Sequence, residues 1–251
     1  MIPLRKIAIA TLAAPLALGL AACDSAEDTA TGEVPEGEVV AAVPAPEGQQ
    51  WTEVASVTDY DGYVIGNPDA PIKLIEYGSL TCGACANFAV TGIPSLREEY
   101  VNSGRVSYEL RNQIHNGIDL VLARLVRCGA PESYHALSDQ VWTNLQSLMQ
   151  GAQSNPQGLE AAMQMPEDQR FPAVAQVAGL YDFFAARGIS EDQARTCLAD
   201  FASVQKIAEN SQSQTEEFNV TGTPTFFING RNIGTQSWAS LEPMLQRAGA
   251  R

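Results

Sequence analysis

Apolar positions fall into four regimes along the chain. Behind Arg5 and Lys6, residues 7–22 form an uncharged, mostly apolar run. From Asp24 to Gln50 that pattern is lost, with seven acids, no Lys or Arg, no aromatic residue, and Pro35, Pro44 and Pro46. From Trp51 periodicity returns. Ile72-Lys-Leu-Ile-Glu-Tyr-Gly78 alternates and predicts a strand. Gly83–Glu99 has helical spacing at Ala86, Phe88, Ala89, Ile93 and Leu96, with Pro94 predicting a kink. Arg105–Leu110 alternates again, so this stretch reads as strand–helix–strand, a βαβ unit.

The next hundred residues are helical. Runs are expected over Asp119–Arg127, from Pro131 through Leu148, over Pro172–Arg187, from Glu191 to Phe201 and from Ser203 to Phe218. Ser190-Glu-Asp-Gln193 has the spacing of a capping box, and residues 151–158 read as a loop. Strand character returns at Thr225–Asn229 and Asn232–Thr235, joined by a turn at Asn229-Gly230. A helix from Trp238 to about Ala248, with Pro243 inside it, closes the chain. Residues 51–251 are therefore expected to form one α/β domain: a βαβ half, a helical insert over about 117–218, then a ββα half.

Composition sharpens this. Of 251 residues 45% are hydrophobic and 18% charged, which excludes wholesale disorder. The net charge of −14 argues against nucleic-acid binding, which needs a basic face. Residues 1–22 have the basic start, apolar stretch and small-residue end of a signal peptide, and the run is short for a membrane span. Leu20-Ala21-Ala22-Cys23 resembles the lipobox of bacterial lipoproteins. That resemblance implies that Cys23 becomes the first mature residue and carries acyl chains that anchor it to a membrane. Asp24 resembles the signal that keeps enteric lipoproteins in the inner membrane. Residues 23–50 are then a lipidated cysteine and a disordered acidic tether, spanning roughly 30 Å as a coil. The expected location is the cell envelope, facing the periplasm.

Cys82-Gly83-Ala84-Cys85 stands where a strand meets a helix. A helix N-terminus presents unpaired N–H groups and partial positive charge, which favour a thiolate. Cys82 is expected to attack or be attacked, and Cys85 to resolve the mixed disulfide. Zinc ribbons also use CxxC, but in pairs, and neither Cys128 nor Cys197 belongs to a second one. No metal site is expected, and neither His115 nor His135 receives a role.

Ile75–Cys85, Val220-Thr-Gly-Thr-Pro-Thr-Phe-Phe-Ile-Asn-Gly230 and the helical insert between them together resemble the DsbA family of thiol–disulfide oxidoreductases. The resemblance covers about residues 51–251 and implies a thioredoxin-like fold with an α-helical insertion. It implies that the Thr223-Pro224 bond is cis, packed on the redox pair, with the Thr223 backbone offered to a substrate strand. It also implies that Glu76, six residues before Cys82, is a buried acid moving protons at Cys85. The other reading puts Glu76 on a solvated face, with Ile75 and Tyr77 inward. No metal or organic cofactor is needed. The implied partners are exported cysteine-containing proteins and a membrane redox partner that resets the pair.

Two departures leave the direction of electron flow open. Gly83-Ala84 replaces the Pro-His of strongly oxidising members, removing a side-chain donor to Cys82 and implying a less oxidising disulfide. Thr223 instead of Val resembles reducing and isomerising members. Cys128 and Cys197 remain as a candidate structural disulfide, favoured by an oxidising compartment. A rival reading is a non-catalytic peptide-binding module whose CxxC is only a structural bridge.

Overall fold

The computed structural model describes residues 32–251. The expected signal peptide, the lipidation site Cys23 and the first part of the tether lie outside the described residues.

Strands β1 (Ala55–Val57), β2 (Tyr63–Ile65), β3 (Ile72–Gly78), β4 (Val106–Asn112), β5 (Thr225–Ile228) and β6 (Arg231–Gly234) form one sheet, ordered β1-β2-β4-β3-β5-β6. Only the β3–β4 pair is parallel. A parallel pair needs a crossover. Helix α1 (Gly83–Thr91), the short α2 (Ile93–Ser95) and a π-helical turn over Leu96–Val101 supply it. Central β3 is covered on both faces. Ile72 and Leu74 join the main core, while Tyr77 packs with Val220 and Phe227 on the other side. Strands β5 and β6 turn at Asn229 and Gly230, both at positive φ (50° and 80°), the pattern of a type I′ hairpin. Helix α11 (Trp238–Arg247) follows, and Phe88 of α1 packs against Phe226 of β5 and Trp238. The sheet and its many helices give the thioredoxin-like α/β fold with a helical insertion.

Several elements differ from their sequence patterns. The first helix breaks at Gly92, and Pro94 sits harmlessly in the first turn of α2. Strands β1 and β2 were not expected, because three-residue runs carry too little alternation. The insert holds α3 (Gly117–Leu125), α4 (Tyr134–Thr143), α5 (Leu145–Gln153), α6 (Pro156–Met163), α7 (Glu167–Val177), α8 (Leu180–Ala185), α9 (Glu191–Ala199) and α10 (Phe201–Glu217). The run from Pro131 thus divides at Asn144, and the run over 172–187 divides at Ala178-Gly179. The expected 151–158 loop is mostly helix. Asn155 caps α6 by accepting from Gly158 N–H, and Pro156 starts it, so an Asn-Pro turn signal is here a helix start. Ser190 caps α9 by accepting from Gln193 N–H, but the Gln193 side chain donates to the Cys128 carbonyl instead of closing the box.

Residues 32–50 have no helix or strand, yet they are not a free tether. Val34 is buried, Gly37 N–H donates to Arg247 O, Val40 N–H to Gly249 O, and Val43 N–H to Ser103 O. Glu33 pairs with Arg247, Glu36 with Arg251, and Trp51 Nε1 donates to Val43 O at 2.7 Å. The acids that looked solely repulsive find cations at the C-terminal end. This strap lies so close that a Cβ at Gly249, whose φ is +118°, would come 2.2 Å from Glu38 O. Gly249→Ala is therefore expected to loosen the strap, destabilising the fold by about 1–2 kcal/mol. Limited proteolysis should show earlier cleavage within 32–50, and an unchanged digest would argue against a docked strap.

Candidate active site

Where β3 ends, Ser79-Leu80-Thr81 carries the chain to α1. The buried Asp119 carboxylate pins this loop to α3, accepting from Ser79 Oγ at 2.7 Å and Leu80 N–H at 2.8 Å. Trp142 Nε1 on α4 donates to Ser79 O at 2.9 Å. The pinned loop delivers Cys82 as the N-cap of α1, where its Sγ accepts from Cys85 N–H at 3.2 Å. Cys82 is half-buried, while Cys85, three residues on, faces the core and is fully buried.

The Thr223-Pro224 bond is cis, and the loop brings Thr223 O within 3.4 Å of Cys82 Sγ, whose thiol donates to it. The Cys82 thiol is pulled down to about 5. Hydrogen bonding from the Cys85 side chain is the main cause, helped by the Thr223 side chain and the N–H groups of Cys85 and Ala84, against the opposing effect of burial. The expected penalty of a Gly-Ala dipeptide is thus offset by donors outside its side chains. Burial pushes the Cys85 thiol far up, reinforced by its bond to Cys82 and by the negative charge of Glu76.

Glu76 is fully buried on the core face of β3, and Tyr77 points to the opposite cluster, so the solvated-face reading fails. Its Oε2 accepts from Tyr108 OH at 2.6 Å, while Oε1 has no protein partner. Burial raises this carboxyl to about 8, only partly countered by the Tyr108 bond. In an unfolded chain it ionises near 4.5. The unfolded state therefore holds fewer protons in between, and stability present below pH 4.5 is lost as pH rises through 8. The oxidised chain, in which no Cys82 thiolate adds an opposite slope, should accordingly lose stability between about pH 5 and 8, and Glu76→Gln should flatten that slope in urea titrations. An equal slope in both chains would contradict the raised carboxyl.

Cys128 and Cys197 form a disulfide that ties the end of α3 to α9. His135 is buried against Tyr63 O at 2.9 Å, and burial holds it down at about 3, so it stays neutral in the core. Two groups of the site had no assigned role in the sequence. His115 Nε2 lies 3.3 Å from Thr223 Oγ1, and Asp119 holds the loop ahead of Cys82. An Asp three residues after the α3 cap Asn116 was the only local signal for the latter. Asn116 also donates to Thr81 Oγ1 at 3.2 Å, and beside it opens a cavity of about 250 Å³ lined by Ile118, Leu159, Met163 and Val174 among others. Among the described residues no cluster of His, Cys, Asp and Glu is arranged to hold a metal, and no helix is long and apolar enough to cross a membrane.

Comparison with known proteins places this geometry. The thioredoxin family profile matches residues 58–247. A Rickettsia bellii protein named "putative protein-disulfide oxidoreductase" is 26% identical over 76% of this chain, and the match spans 65% of that relative's length. The structure of a protein-disulfide isomerase from Novosphingobium aromaticivorans is 28% identical and superposes with a TM-score of 0.69, covering 74% of this chain and 95% of that one. Wolbachia pipientis alpha-DsbA1 shares the fold at 21% identity and a TM-score of 0.62, covering 77% of this chain and 93% of its own. With the profile running from β2 through the insert to α11, the chain belongs to the thioredoxin family and carries a helical insertion in that fold.

Proposed function

We propose that this chain is an envelope thiol–disulfide oxidoreductase that oxidises cysteine pairs of exported proteins through Cys82 and Cys85. A substrate thiolate attacks Cys82 of the Cys82–Cys85 disulfide, forming a mixed disulfide and releasing Cys85 as a thiolate. Glu76, neutral below about pH 8, gives Cys85 the proton its burial demands. The second substrate thiolate then attacks the first substrate sulfur and expels the Cys82 thiolate. The substrate loses two electrons and the pair gains them.

The observation that carries this reading is a half-exposed Cys82 whose thiolate is favoured, beside a fully buried Cys85 and against Thr223. A sulfur with a low pKa is a good leaving group, and stabilising it favours the reduced pair, which makes the disulfide an oxidant. Thr223 offers its backbone to the substrate strand. Lipidation at Cys23 would hold the enzyme at a membrane, and a membrane redox partner would reoxidise the pair. A purely structural CxxC bridge has no use for an accessible thiolate, so the binding-module reading is less well supported. Cys85→Ala tests the proposal: its Cys82 thiolate should attack the disulfide of an oxidised substrate, the reverse of the last step, and accumulate mixed disulfides that no second enzyme thiol can resolve, visible on non-reducing gels. Absence of such adducts, with the variant folded, would refute it.

A further inference from the structure

His115 and Thr223 lie 108 positions apart in sequence, yet His115 Nε2 is 3.3 Å from Thr223 Oγ1. Both sides of this contact are held in place. The His115 backbone N–H donates to Asp119 Oδ2 at 2.9 Å, and the same carboxylate takes Ser79 Oγ and Leu80 N–H. One buried group therefore fixes the loop that presents His115 and the loop that leads into Cys82. On the far side, Thr223 lies against the reactive sulfur, its carbonyl 3.4 Å from Cys82 Sγ. Imidazole and sulfur thus both lie against Thr223, one at its hydroxyl and the other at its carbonyl.

We propose that His115 is a positioning residue for the exchange step, turning the Thr223 hydroxyl toward or away from the Cys82 sulfur. This rests on the reading of Cys82 as the reacting thiolate. A hydroxyl has one proton and gives it to one partner at a time. An imidazole with a bare Nε2 takes that proton, leaving only oxygen lone pairs to face the sulfur. An imidazolium donates from Nε2, so Thr223 Oγ1 accepts there and its own proton is free for the thiolate. The two arrangements differ by one proton on the imidazole and by no covalent bond. Linkage makes the effect reciprocal: the imidazolium favours the thiolate, and the thiolate favours the imidazolium. The ionisable groups facing His115 are Asp119 on α3 and, across Thr223, Cys82 at the head of α1. Of these two only Cys82 loses its charge when the pair is oxidised.

The test is a thiolate-absorbance titration of the reduced full chain, His115→Ala, Thr223→Val and the double variant. His115 is exposed, so its replacement leaves the core intact. His115→Ala should lower the Cys82 thiolate fraction at pH 5 by about fivefold or more, since losing one hydrogen bond to a charged group lowers the ionisation constant at least about tenfold. On the Thr223→Val background it should add nothing. In parallel, the His115 proton resonance should titrate at higher pH in the reduced chain than in Cys82→Ser. Identical titrations of parent and His115→Ala would overturn the proposal, as would an undiminished His115→Ala effect once Thr223 is Val. Failure of the parent pair to exchange with glutathione would instead overturn the functional reading, while these titrations would still judge His115.

Discussion

Replacing Cys82 with serine is expected to abolish thiol–disulfide exchange altogether, whereas replacing Cys85 with alanine removes the oxidising disulfide but leaves a Cys82 thiolate able to form mixed disulfides. The asymmetry follows from placement. Cys82 caps α1, is half-exposed and faces Thr223, so it is the sulfur a substrate can reach. Serine keeps the size and cap but cannot form a disulfide. Cys85 is fully buried and its thiol is pushed far up, so it cannot compete as the attacking group on a large substrate. Its part is to leave when a substrate thiolate attacks Cys82, taking the proton that Glu76 holds below about pH 8. Oxidation of a reduced dithiol peptide by the parent and Cys82→Ser, followed by mass spectrometry, checks this. Turnover surviving in Cys82→Ser would remove Cys82 from the reaction.

The second large effect is on stability. Cys128 and Cys197 close a loop of 69 positions that contains most of the insert. On the chain-entropy model, losing that closure costs roughly 4 kcal/mol, because the unfolded chain regains the freedom the crosslink denied it. Replacing both cysteines by alanine should therefore lower the urea midpoint sharply while leaving exchange at Cys82 and Cys85 in the folded fraction. The insert must hold Asp119 and Trp142 in place for the loop ahead of Cys82, so much of that cost falls on folding of the whole domain. An unchanged midpoint in the double variant would show that the bridge contributes nothing.

The parts of the fold legible beforehand were those set by local chemistry. The alternation of Ile72–Gly78 marked β3, and Asn229-Gly230 marked the hairpin. Cys82 at a strand–helix junction was visible as a position for a stabilised thiolate. Helix boundaries inside the insert were less legible, because apolar spacing continues across Asn144 and Gly179 while the backbone does not. The strap is hidden from sequence for a different reason. Its acidic, proline-punctuated sequence has no helical or strand period, and its docking depends on Val34, on backbone hydrogen bonds and on Arg247 and Arg251, far along the chain. His115 had no local signature at all, since its meaning comes from Thr223 across the active site.

On the proposed function, a favoured Cys82 thiolate makes Cys82–Cys85 an oxidising disulfide. Equilibration with glutathione buffers at pH 7, read by trapping free thiols, gives its reduction potential. The expected value lies well above that of thioredoxin, about −270 mV, and toward the −180 to −120 mV range of oxidising enzymes, with the reduced chain more stable than the oxidised one. A potential at or below about −270 mV, with the disulfide form the more stable, would contradict it.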